Sequence, residues 1–181
     1  MYSDRKNLLK GYNMLLYFAG SMIMSEPTEE CVSELWTNGT LKNLPVSSSN
    51  PRFIKAASIL REACSGTESC MVRLQDDYFR LFSEKGLPLA PPYGSVYPEK
   101  IGGSQSNVSD FYNSYGWKSR LRSNIADDHL GIELLFLTRL IDKYLTLDDE
   151  PCCCEMQKEI RRFINDHLIT WVPAWNEDVQ E

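Results

Sequence analysis

The sequence predicts an all-α fold, one domain over residues 1–181 with seven or eight helices. Three observations predict it. Apolar residues recur at helical spacing in one segment after another. No stretch alternates with period two for long enough to make a strand; "GSVY" at 94–97 is the nearest, and it is isolated. Capping and breaking residues bracket the helical runs. At 181 residues and 43% hydrophobic content, the chain can bury one substantial core and is too apolar for disorder.

The first helix carries Leu8, Tyr12, Leu15, Ala19 and Met22 on one face, with Ser3 or Asp4 as its cap, and stops near Glu26-Pro27. A short second helix runs from Thr28 to about Trp36 and ends at the Asn38-Gly39 turn. "NLPVSSSNP" is linker. Asn50 then caps a third helix with Pro51 at its first position and Phe53, Ala57, Leu60 and Cys64 as its inward stripe. The fourth spans Thr67 to Ser83, with Met71, Leu74, Tyr78 and Leu81 on one face. The fifth, from about Gln105 to Tyr115, carries Val108, Phe111 and Tyr115 and ends at Gly116. The sixth starts at the acidic pair Asp127-Asp128 and continues "HLGIELLFLTRLIDKYL". It is apolar on nearly every side, which predicts the central, surrounded helix. Pro151 opens the seventh, with Met156, Ile160, Phe163 and His167 on one face, and "WVPAWNEDVQ" reads as a short eighth.

Between the fourth and fifth helices lies "APPYGSVYPEKIGG", Ala90 to Gly103, with three prolines, three glycines and two tyrosines. A plain connection would be shorter and would not need two rings. Tyr93 and Tyr97 either pin this loop to the helices, or wall a groove that receives a partner peptide.

The net charge of -6 and pI near 5.0 argue against a nucleic-acid partner. The opening "MYSDRKNLLKGYNMLLYFAG" has basic residues before an apolar run, but Tyr12, Asn13 and Tyr17 dilute that run and no cleavage site closes it. No stretch approaches the ~20 apolar residues of a membrane span. These features predict a cytoplasmic protein without membrane insertion. The cysteines at 31, 64, 70, 152, 153 and 154 then read as reduced thiols. "PCCCE" lacks ligand spacing, because neighbouring side chains on a helix diverge by about 100°.

Phosphate-loop and nucleophile-elbow signatures are absent. His129 and Glu133 stand four apart on one helix and could share a metal, but the paired Glu-x-x-His motifs of a di-iron bundle are missing. No metal or cofactor is expected. For His129 the plainer alternative is a first-turn polar residue with Asp127 and Asp128 as cap and dipole partners. That accounts for the acids, not for an imidazole at the mouth of the most apolar helix. His167 lies on an apolar face and is expected to hydrogen-bond within the core.

Four stretches, in order, carry a resemblance: "DYFRLFSEKGLPLAPPYGSVY", "DFYNSYGW", "ADDHLGIELLFLTRL" and "FINDHLITWVPAW". Through them the chain resembles the TorD/DmsD/NarJ family of cytoplasmic chaperones for molybdenum-cofactor oxidoreductases of the DMSO reductase type. The resemblance implies an all-helical fold and no catalysis. It implies binding of the N-terminal leader of an oxidoreductase catalytic subunit, often a twin-arginine signal, with help in cofactor insertion and export proofreading. It carries a peptide-binding role to Tyr93, Ser95 and Tyr97 in the loop, shaped by Pro91 and Pro92, and to Asp128 and His129 at the helix start, with Glu133 one turn on. Tyr97 and the Asp128-His129 pair are expected to line one cleft. Carboxylates and rings suit arginine, and Asp128 is expected to carry part of the affinity.

Two departures stand out. Family members usually continue with another helix after the Trp-x-Pro segment, whereas this chain stops at Glu181, which leaves room for a missing helix or one swapped in a homodimer. The loop reads Val96-Tyr97 where some members carry tryptophan. The rival readings are a NarJ-like chaperone of a non-exported subunit, a helical metal-dependent enzyme using His129 and Glu133, and a plain helical interaction module.

Overall fold

One helix organises the molecule. The computed structural model describes residues 2–32, 44–62, 68–83, 87–97, 107–118 and 125–181. Within it α6, Leu130–Thr146, buries 11 of its 17 residues and is the surrounded helix that its composition predicts. The other helices are α1 (Tyr2–Met24), α2 (Glu29–Val32, a single turn), α3 (Pro51–Glu62), α4 (Glu68–Phe82), α5 (Val108–Ser114), α7 (Glu150–Phe163) and α8 (Val172–Val179). A short 3-10 turn covers Gly94–Val96, and no strand occurs among the described residues. The fold is all-α, as expected. The end of the second helix at Trp36, the end of the third at Cys64, the start of the fourth at Thr67 and the start of the fifth at Gln105, as read from sequence, lie outside the described residues.

The first helix begins at Tyr2, ahead of both caps read from sequence. It runs antiparallel to α6. Near its start, Lys6 Nζ donates to Leu145 O at 3.3 Å and Leu147 O at 2.9 Å, satisfying carbonyls at the C-terminal end of α6. At the other end, Gly20 and Gly131 let the two backbones touch. A Cβ on Gly131 would sit 2.9 Å from Gly20 O and would collide with Met24 Cγ. This approach fixes the height at which α6 begins, and the residues just ahead of Gly131 belong to the candidate site.

The core is aromatic. Phe136 is 1% exposed and packs its ring against Phe111, Tyr112, Tyr115, Trp117 and Phe163. Helix α5 ends as its Gly116 predicts. With φ 62°, Gly116 sends its N–H to Asn113 O and the Trp117 N–H to Tyr112 O. That turn folds Trp117 back onto Tyr112, with ring centroids 4.8 Å apart. Helix α7 starts one residue before Pro151, with Asp149 accepting from Cys152 N at 3.0 Å. Helices α3 and α4 are peripheral: only Ala57 of α3 is buried, and the predicted stripe of α4 is half-buried.

Candidate functional site

The proline-rich loop docks on the start of α6 by main-chain bonds. Leu130 N donates to Pro92 O at 2.8 Å and Gly94 N to Asp128 O at 2.9 Å, so Tyr93 and His129 face each other as an isolated antiparallel bridge. Ala90 N reaches back to Leu81 O at 3.0 Å, and Trp175 Nε1 of α8 donates to Ala90 O at 3.2 Å. Pro91 and Pro92 lack N–H groups, so the loop forms its bonds through their carbonyls and through Tyr93, Gly94 and Ser95. The loop is thus a fixed strap across three helices.

The strap, the start of α5, the turn before α6 and the end of α7 enclose a cleft of about 540 Å³. Ser95, Tyr97, Asp128 and Glu133 line it, together with Asn107, Ser109, Asp127, Asp166, His167 and Trp171. Among the described lining residues four are acidic, and none is lysine or arginine. Tyr97 and Asp128 therefore share a cleft. Pro91, Pro92, Tyr93 and His129 do not line it; they build its wall. The Tyr93 ring stands edge-on to His129 at 4.9 Å.

His129 departs most from the sequence reading. It is itself the N-cap of α6: its Nδ1 accepts from Gly131 N at 3.0 Å, in the place where a carboxylate was expected. An accepting Nδ1 leaves the ring proton on Nε2. The two aspartates are consequently free of capping and hold the cleft's mouth instead. Asp128 Oδ2 accepts from Ser95 N at 2.8 Å, and Asp127 Oδ2 accepts from Ser109 Oγ at 2.6 Å. The main-chain carbonyl of Asp127 takes the Tyr112 hydroxyl at 3.0 Å. No three His, Cys, Asp or Glu side chains converge to hold a metal ion among the described residues. His129 spends its Nδ1 on the helix, so the His129–Glu133 metal reading loses its geometry.

The inner end is different. Glu133 is 2% exposed and His167 6%, and Trp171 is buried beside them. Glu133 Oε2, His167 Nε2 and Trp171 Nε1 all lack a hydrogen-bond partner. Burial, opposed in part by the nearby Trp171 N–H and reinforced by the Asp128 charge, pushes the Glu133 carboxyl up to about 9. The indole is near enough to favour the carboxylate but falls short of hydrogen-bond geometry. Burial likewise lowers the His167 imidazole below its ordinary range.

His167 does not form the core hydrogen bond expected of it. Its ring packs against Phe111 at 5.5 Å and Phe163 at 5.2 Å. It sits in a widened turn, Ile164–Leu168, closed by an Ile169 N–H to Ile164 O bond across five residues. Trp171 escaped the site prediction although its motif did not. It stacks on Tyr97 at 5.7 Å and 22°, and a Cβ on Gly94 would stand 3.2 Å from its Nε1. Tyr97 completes the wall by donating its hydroxyl to Asp178 Oδ2 at 2.9 Å.

A family model described as nitrate reductase delta subunit matches residues 50–177. Among curated relatives, the chaperone protein TorD of Photobacterium profundum is 27% identical over 169 residues, 89% of this chain and 78% of that protein. The chaperone protein TorD of Aliivibrio fischeri is 24% identical over 173 residues, 90% of this chain and 79% of that protein. The chaperone protein TorD of Vibrio cholerae is 28% identical over 113 residues, 61% of this chain. That last match spans about half the length of the relative, 51%.

Proposed function

The chain belongs to the nitrate reductase delta subunit family, a family of TorD/NarJ-type chaperones rather than enzymes, and from that premise we propose that it binds the N-terminal leader of a molybdoenzyme catalytic subunit. In this reading it acts in the cytoplasm as one helical domain. It holds the subunit during maturation and cofactor insertion, and releases the leader for export. The observation that carries the reading is the cleft: among the described residues that line it, four are acidic and none is lysine or arginine, and Tyr97 on Trp171 makes an aromatic wall. A negative, ring-lined groove favours a peptide bearing arginine and apolar residues, because guanidinium both pairs with carboxylate and stacks on rings. In the described residues no helix is long and apolar enough to cross a membrane.

The family's description favours a second client class, a nitrate-reductase-type subunit whose leader has lost its arginines. Calorimetry with synthetic leaders decides between the two. A twin-arginine leader is expected to bind, and its twin-lysine and arginine-free forms to bind more weakly, by roughly tenfold for each charged hydrogen bond lost. Equal affinity for all three would move the reading to the non-exported client. No binding by any leader, or by the catalytic subunits that carry them, would overturn leader recognition.

A further inference from the structure

The inner end of the cleft contains what a finished protein core avoids. Three buried polar atoms, on Glu133, His167 and Trp171, face one cavity without partners. Each is costly to leave so. A carboxyl buried without a counter-charge stays neutral rather than ionising. We propose that this inner end is a socket for one guanidinium of the bound peptide, received by Glu133, and that the carboxyl gives up a proton to solvent as the cation enters.

Guanidinium is planar, permanently charged, and donates through a fork of N–H groups. Glu133, once ionised, accepts from that fork and from the Trp171 N–H, and a neutral His167 has a ring nitrogen free to accept a further N–H. All three vacant atoms are then satisfied together. Among the described residues that line the cleft, no resident cation does this. Among the described residues, the titratable groups that line the cleft with Glu133 are Asp127 and Asp128 from the turn before α6, Asp166 and His167 from the widened turn, and Tyr97 from the strap, and Tyr112 of α5 is within electrostatic reach of it. None of these described groups is a fixed cation. Arg162 of α7 does not line the cleft: it is paired with Glu159 at 2.7 Å and lies over the Phe111 ring. Asp127 and Asp128, which engage hydroxyl and main-chain donors at the mouth, would repel an anion and draw the cation inward. A metal cation is a poorer occupant, since no three ligating side chains converge among the described residues.

The Glu133 O–H breaks, its proton goes to water or buffer, and one ion pair forms with the guanidinium. The proposal rests on leader recognition for its natural ligand, but not for its test. Titrations of wild type and Glu133→Gln use two probes, a twin-arginine leader peptide and N-acetylarginine amide. Each is measured at pH 7 in phosphate and in Tris, whose ionisation enthalpies differ, so that released protons are counted. Wild type is expected to release about one proton per leader bound. Its affinity should rise by close to tenfold per pH unit between pH 6 and 8. Glu133→Gln should bind at least tenfold more weakly at pH 8, release none, and show no such slope. Melting curves verify that the variant folds.

Leader binding with no proton release would overturn the socket and leave leader recognition standing. Binding and proton release with N-acetylarginine amide, but no leader binding, would do the reverse. Failure of both probes to bind, or identical slopes in wild type and variant, would overturn the socket.

Discussion

The mouth and the inner end of the cleft use the same chemistry to opposite ends. At the mouth, Asp128 and Asp127 are each tied to a donor, Ser95 N at 2.8 Å and Ser109 Oγ at 2.6 Å. There the acids hold the strap and the start of α5 to the turn before α6. At the inner end, Glu133 is more deeply buried than either and Oε2 has no partner. A satisfied carboxylate is a strut. An unsatisfied one, beside two more partnerless buried atoms on His167 and Trp171, marks where something else is meant to sit. The two ends therefore make separable predictions.

The largest expected effect is on stability without any ligand. An unfolded chain ionises Glu133 near 4.5, whereas the folded chain holds its proton up to about 9. Between those values the folded state binds the extra proton, so raising the pH favours unfolding. From pH 5 to pH 7 the wild type should lose roughly 2–3 kcal/mol that Glu133→Gln keeps. Urea unfolding of both proteins at several pH values measures this. Parallel pH curves would mean that Glu133 is paired after all, and the contrast between the two ends would collapse.

Much of this was legible in the sequence, for reasons that can be named. The burial of α6 follows from apolar residues on every face, and the end of α5 from a glycine that alone takes φ 62° easily. Short motifs pointed to the strap and the turn, and of the eight residues they named Ser95, Tyr97, Asp128 and Glu133 line one cleft while Pro91, Pro92, Tyr93 and His129 do not. Three features were not legible. His129 takes the capping place because it immediately precedes α6, and its acid neighbours are drawn to loop donors that only the tertiary fold supplies. His167 looked like a core residue because its spacing from Phe163 is that of a regular helix. The widened turn that brings it to the cleft has no periodic signature. Trp171 lay in plain sight within a motif, but its partner Tyr97 is distant in sequence.

A smaller effect is expected at the mouth. Asp128→Asn keeps an oxygen to accept from Ser95 N, so the strap should stay in place and the melting temperature should barely move. The charge is lost. Leader affinity should fall by roughly tenfold, about 1.4 kcal/mol, and added salt should weaken wild type more than the variant. If Asp128→Asn cost more affinity than Glu133→Gln, the mouth rather than the socket would be where arginine is held.

The smallest effect belongs to the wall between the two ends. Tyr97 does two things: its ring stacks on Trp171, and its hydroxyl donates to Asp178 Oδ2 at 2.9 Å. Burial and the Asp178 charge both raise the phenol above its ordinary range, so the hydroxyl remains a donor at all working pH values. Tyr97→Phe removes one hydrogen bond to a charged group at a half-buried site and leaves the stack. Stability should fall by about 1 kcal/mol. Tyr97→Ala removes the stack as well and unroofs one side of Trp171. It should cost a further increment of about 0.5–1.5 kcal/mol from the lost ring pair, in addition to the lost burial. If the ring forms the wall, leader affinity should drop distinctly more for Tyr97→Ala than for Tyr97→Phe. Were the two variants equally weakened for the leader, the hydroxyl would be the group that matters, and Tyr97 would belong with the polar contacts of the mouth.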